Sequence, residues 1–136
     1  MHYFLFGPCS SVSVRLADGN APNEGRVEVF YGCNWGTICQ RRWSIKDANV
    51  ICRQLGYPSA SQAWYNAHFG RGSGPILLDN VDCSGHEISI DQCTHSGWFN
   101  HNCYHSSDVG VTCDISSPLP GKPRTNLKEG VRIQDF

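Results

Sequence analysis

Long apolar runs are missing from this chain. No stretch approaches the roughly 18 to 20 apolar residues that a membrane span requires, and the apolar run within residues 1–6 is too short for an export signal. Neither a spanning helix nor a leader is expected in these residues, and any address is expected elsewhere in a larger multidomain protein. An excess of one charge is missing as well: 11 basic side chains stand against 12 acidic ones, a formal net charge of −1. The total by itself points to no polyelectrolyte partner, and nucleic acid is not expected to bind. The distribution is less even, because residues 117–136 carry Lys122, Arg124, Lys128 and Arg132 against Glu129 and Asp135. No C-x-x-C pair occurs, so the cysteine spacing does not match common zinc sites. No Ser, His and Asp set has recognisable catalytic context, so no catalytic residue and no cofactor are expected.

Cysteine and glycine are plentiful. Eight cysteines are scattered singly among 14 glycines in 136 residues. An even count of this kind suggests disulfides, and disulfides persist in oxidising, extracellular surroundings. The length suits one domain with a real but modest core.

The chain is organised around residues 35–56, WGTICQRRWSIKDANVICRQLG. Gly36 to Cys39 reads as a short buried strand, because a β-branched and apolar run flanked by Trp35 and Gln40-Arg41-Arg42 fits a pleated, half-covered surface. Ser44 reads as a helix N-cap with Asp47 three residues on, a variant of the capping box. Ala48, Ile51, Cys52 and Leu55 follow at helical spacing and line one face. Gly56 then supplies the stop, and Pro58 forbids continuation.

Upstream, Val12, Val14 and Leu16 alternate with polar residues, as do Val27 and Val29, so two half-buried strands are expected to pair antiparallel around the Asp18–Pro22 loop. Tyr31-Gly32-Cys33-Asn34 reads as a turn, with Gly32 and Asn34 at its φ > 0 positions. Downstream, strands are expected at Gln62–Tyr65, Ile76–Leu78 and Val109–Cys113, with a second short helix over Glu87–Cys93 and a Gly-rich loop over His68–Pro75. Residues 115–130 hold three prolines and few large apolar groups, the composition of an exposed linker. Val131-Arg132-Ile133-Gln134-Asp135 echoes Val14-Arg15-Leu16-Ala17-Asp18, so residues 131–136 are read as the start of a second, truncated copy.

Four blocks in order, GRVEVFYGCNWGTIC, DANVICRQLGY, GSGPILLDNVDCSGHE and DVGVTCD, resemble the scavenger receptor cysteine-rich (SRCR) domain family over residues 12–114, after an N-terminal segment 1–11. The resemblance implies an α+β fold, a curved antiparallel sheet cradling one helix, stapled by Cys39–Cys103, Cys52–Cys113 and Cys83–Cys93. The six-cysteine (group A) type is implied, because Glu24 and Tyr57 stand where the eight-cysteine type carries its further pair. Cys9 and Cys33 are extra. Antiparallel pairing of the first two strands carries Cys9 towards the turn holding Cys33, so a bridge between them is expected. Aligning the apolar faces leaves the two one residue out of register, so a bulge or turn must absorb the slip, the alternative being an interchain bridge.

Many members of the family place two aspartates directly after the cysteine equivalent to Cys39 and a glutamate after the CSG segment, where they bind Ca²⁺. Here Gln40 and Arg41 follow Cys39, while Asp79, Asn80 and Glu87 remain. A guanidinium opposes a divalent cation, so no metal is expected and Arg41 is expected to lie beside Glu87. Arg41, Arg42 and Glu87 are the candidate ligand-binding residues, since arginine offers a planar fork to carboxylate, phosphate or sulfate. His95, His101 and His105 around Cys103 suggest a metal cluster only until Cys103 is placed in a disulfide, where it is no thiolate. Trp35, Trp43, Trp64 and Trp98 are read as packing residues. The resemblance implies a non-catalytic extracellular recognition module for protein or polyanionic surface ligands, as in innate immunity and adhesion. Its alternative is a targeting domain of a secreted enzyme, such as a serine protease or a lysyl-oxidase-like protein.

Overall fold

The structure, a computed structural model, describes Cys9 and residues 11–115. The proline-rich segment from 116 onward and the echo at 131–136 lie outside the described residues. The alternating apolar residues of the first two segments form β1 (Ser13–Ala17) and β2 (Glu24–Tyr31). They pair antiparallel with Val14 opposite Val29 and Leu16 opposite Val27, so both apolar faces point the same way. β3 (Asn34–Ile38) returns along β2 with Tyr31 opposite Asn34. Only Gly32 and Cys33 remain to turn the chain, at φ 60° and 68°, the positive pair of a tight hairpin whose twist matches its strands. Cys33, not Asn34, therefore takes the second left-handed position.

α1 (Ile45–Gln54) begins at Ser44 with the full capping box: Asp47 Oδ2 accepts the Ser44 N–H at 2.7 Å, and the Ser44 hydroxyl faces the first turn. It ends as the glycine signal requires. Tyr57 N–H reaches Cys52 O at 2.9 Å and Gly56 N–H reaches Arg53 O at 3.0 Å, with Gly56 at φ 97°. Ala48, Ile51 and Cys52 are buried against the sheet.

β4 (Ala60–Trp64), β5 (Ile76–Leu78) and β6 (Gly110–Cys113) complete a six-stranded sheet ordered β4-β6-β2-β3-β5, with β1 paired to β2. Arg26 pairs with both Ala17 and Gly110, and Val29 with both Val14 and Gly36. β1 therefore holds one edge of β2, and β3 and β6 follow one another along the other. β3 and β5 are parallel, with Thr37 N–H on Pro75 O and Cys39 N–H on Leu78 O. Val27, Val29, Ile38, Ile51, Leu77, Leu78, Val81, Ile90, Val109 and Val111 form one buried core between sheet and helix.

The expected second helix shrinks to a single 3-10 turn, Ile90–Gln92. Glu87 folds back onto the preceding amides, Ser89 is extended, and Cys83 bridges Cys93 with 4.6 Å between Cα atoms, so no room is left for further helical residues. β4 starts two residues before the expected Gln62 and ends at Trp64, one before the expected Tyr65, and the Asn49 side chain accepts the Ala60 N–H at 2.7 Å where it begins. β2 is not half-buried: Arg26 and Glu28, on its polar face, are 7% and 8% exposed. The Gly-rich loop packs on Arg26, whose Nη1 donates to Gly70 O, and Glu28 is enclosed by the side chains of Arg15 and Arg26.

Candidate functional site

The eight cysteines form four bridges in this structure: Cys39–Cys103, Cys52–Cys113 and Cys83–Cys93, with Cα separations of 6.3, 5.5 and 4.6 Å, and Cys9–Cys33 at 5.0 Å. The two long-range bridges tie the end of β3 to the segment before β6 and α1 to β6 itself. Cys33 stands in the left-handed turn after β2, at φ 68°, and Cys9 lies ahead of Ser13, the first residue of β1 paired with β2. Glu24 accepts a hydrogen bond from the Thr112 hydroxyl, and the Tyr57 hydroxyl donates to Pro22 O.

Between β3 and α1 the chain makes a turn closed by Trp43 N–H on Gln40 O at 2.9 Å, with Arg42 at φ 65°. This turn projects Arg41 and Arg42 outward together. Arg41 is 49% exposed, yet its fork closes on a carboxylate that is almost wholly buried, Asp79 at the end of β5. Nη2 lies 2.7 Å from Oδ2 and Nε 3.3 Å from Oδ1. Arg42 is freer, its nearest carboxylate being the exposed Asp82 at 3.6 Å.

Glu87 is not the partner of Arg41. Its two oxygens accept the backbone N–H groups of Ser84 (2.9 Å) and Gly85 (3.0 Å). The Ser84 N–H is the main reason that its carboxyl is held down at about 2, with its other amide bonds adding to the shift. Glu87 is thus satisfied within its own loop, and Arg41 turns to the deeper acid, which without it would lack a countercharge. Arg53 braces the same loop from α1 by donating to Gly85 O and Glu87 O. The Gln40 amide points away, accepting Asn66 N–H at 2.6 Å and donating to Asn66 Oδ1 at 3.0 Å.

The histidines do not converge. His95 Nδ1 accepts Gly97 N–H, His101 Nδ1 accepts Cys103 N–H, and His105 lies between Asp108 and Gly74 O. Among the described residues, two groups place acid and sulfur atoms within 4.8 Å, Cys39/Asp79/Cys103 and Cys83/Glu87/Cys93. Both sulfur pairs are disulfides, which offer no thiolate to a metal.

Sequence alternation did not reveal the charged ladder on the outer face of the sheet. Arg15 stacks over Trp35 at 4.0 Å and pairs with Glu28, Glu28 pairs with Arg26, and Arg26 reaches Asp18 at 2.8 Å. Burial acts to lower the Arg26 pKa, but the bonds to Asp18 and Glu28 outweigh it and hold the guanidinium above its ordinary value. Of the tryptophans, Trp43 is in the core, Trp98 stacks on Tyr31 at 3.7 Å, and Trp64 stacks on His68 while donating to Thr112.

One helix in a curved sheet, four bridges and an outward arginine turn define a class: disulfide-stapled domains of extracellular proteins. The family identity is specific. The Scavenger receptor cysteine-rich domain profile matches residues 17–114, and the chain belongs to the SRCR family. It is 53% identical over 100 residues to galectin-3-binding protein from Pongo abelii, covering 74% of this chain and 17% of that protein. It is 46% identical over 114 residues to a scavenger receptor cysteine-rich domain superfamily protein from Patiria pectinifera, covering 84% of this chain and 10% of that protein. The chain thus spans under a fifth of the length of either relative. Among solved structures, the third SRCR domain of murine neurotrypsin matches with a TM-score of 0.71 at 48% identity, covering 79% of this chain and 100% of that one. The dimeric form of the SRCR domain of mouse MARCO matches with a TM-score of 0.64 at 49% identity, covering 68% and 87%.

Proposed function

We propose that this domain is a non-catalytic, extracellular recognition module within a larger polypeptide, binding a protein or polyanionic surface ligand through the turn between β3 and α1. Family membership supports a binding role, since the matched relatives include scavenger receptor proteins by name. The observation that carries the site is the exposure of Arg42, 66% at its side chain, with only a loose contact to Asp82. A guanidinium so placed can form forked bonds to sulfate, phosphate or carboxylate. Arg41 contributes less net charge, because Asp79 balances it, although its Nη1 has no hydrogen-bond partner among the described residues. Residues 131–136, read as the start of a second copy, fit the same picture of a domain within an array.

The test is binding to an immobilised sulfated polysaccharide at low and high salt. Exposed charges are screened over roughly 8–10 Å near physiological ionic strength, so affinity should fall as salt rises. Arg42→Glu should weaken binding at low salt by about fivefold, the equivalent of ~1 kcal/mol for an exposed ionic contact. Unchanged affinity would place the ligand surface elsewhere.

A further inference from the structure

We propose that Arg41 is a built-in cation: its guanidinium neutralises Asp79 in the role that Ca²⁺ plays among the acidic groups of related domains. This corner of the fold then assembles without calcium and is closed to it.

Asp79 carries the case. It is 1% exposed and ends β5 inside the fold, and a carboxylate at that depth requires a countercharge and hydrogen bonds. Arg41 supplies both, through Nη2 to Oδ2 and Nε to Oδ1, while Asn80 N–H takes up Oδ1 at 2.8 Å. The main chain at Asp79 is also fixed, its carbonyl accepting both the N–H and the hydroxyl of Ser96. The end of β5 from which the acid projects is therefore held against the Ser96 segment.

The remaining residues do not fit calcium, which takes about 6–8 oxygen ligands. Gln40, directly after Cys39, directs both polar atoms of its amide to Asn66. Glu87 has each oxygen on a backbone N–H of its own loop. A dication approaching Asp79 would meet the guanidinium at contact distance, and like charges so close repel strongly where the surroundings are poorly solvated. Arg41 also reaches Cys103 Sγ at 3.6 Å, so it lies over the Cys39–Cys103 bridge and links the ends of β3 and β5 to it.

Calorimetry and thermal unfolding of the whole domain test this, in EDTA and in millimolar calcium. The wild type should give no calcium isotherm and one midpoint in both buffers. Arg41→Gln, which leaves Asp79 without its countercharge, should lower that midpoint by about 5 °C or more. The double variant Gln40→Asp/Arg41→Asp should unfold at a lower temperature in EDTA and recover with calcium. Saturable calcium binding by the wild type would overturn the proposal. So would an Arg41→Gln midpoint equal to wild type, or a folded double variant indifferent to calcium. None of these outcomes depends on the polysaccharide assay, so the two proposals stand or fall separately.

Discussion

Replacing Asp47 by alanine should be more damaging than its place in a helix's first turn suggests. The side chain is 1% exposed and serves two elements. Its Oδ2 accepts the Ser44 N–H at 2.7 Å and the Ser44 hydroxyl at 3.1 Å, closing the capping box. Its Oδ1 accepts the N–H of Cys83 at 2.7 Å, thirty-six residues away and beside the short bridge to Cys93. Losing the cap costs about 1 kcal/mol, and leaving the buried Cys83 N–H unpaired costs ~1–3 kcal/mol more. The total is roughly 2–4 kcal/mol, against about 1 kcal/mol for Ser44→Ala, which disturbs the cap alone. Burial pushes the Asp47 carboxyl above its ordinary 3.8, against the hydrogen bonds from Cys83 and Ser44 that pull it down. A raised native value means that folding favours the protonated carboxyl, so the stability linked to this titration is complete below 3.8 and lost as pH rises through the native value. The penalty of Asp47→Ala should therefore be larger in acid than at neutral pH. Guanidinium unfolding under non-reducing conditions, followed by tryptophan fluorescence at both pH values, gives the comparison. If Asp47→Ala is no worse than Ser44→Ala, the Cys83 N–H does not depend on this carboxylate and the long-range half of the reasoning fails.

At Gly36, alanine should destabilise by ~1–3 kcal/mol in the same unfolding assay, because its Cβ would lie 2.5 Å from Pro75 O and 2.6 Å from Leu77 Cγ where β3 meets β5. A neutral Gly36→Ala would mean that the two strands can separate without cost. Glu87, held down at about 2 from an ordinary 4.5, contributes to the order of its loop fully above 4.5 and loses that contribution as pH falls towards 2. Amide exchange, corrected for its intrinsic pH dependence, should show Ser84 and Gly85 losing protection across that interval. Glu87→Gln should remove the dependence, and a wild-type profile flat over the interval would contradict it.

Local rules were enough for the elements whose signals are local. Ser44 and Asp47 cap α1 because a hydroxyl and a carboxylate three residues apart meet the same unpaired N–H groups in any setting. Val14, Leu16, Val27 and Val29 place β1 and β2 because a period of two admits one way to bury both apolar faces. The ordered blocks around the cysteines made the family and its curved sheet legible as well. Three features were decided only by the tertiary structure. Arg26 and Glu28 sit at polar positions of β2, yet a loop some forty residues downstream packs on Arg26 while Arg15 and Arg26 close on Glu28, and no alternation reports what will cover a face. The second helix was cut to one turn by a bridge and by Glu87 bonding backwards, both set by chain closure and not by propensity. Arg41 took Asp79 and not Glu87, because Asp79 is buried with a single amide on one of its oxygens, whereas both Glu87 oxygens are already held by amides of their own loop. The family resemblance implies acid at the position where this chain carries Arg41; only the fold decided which acid that arginine answers.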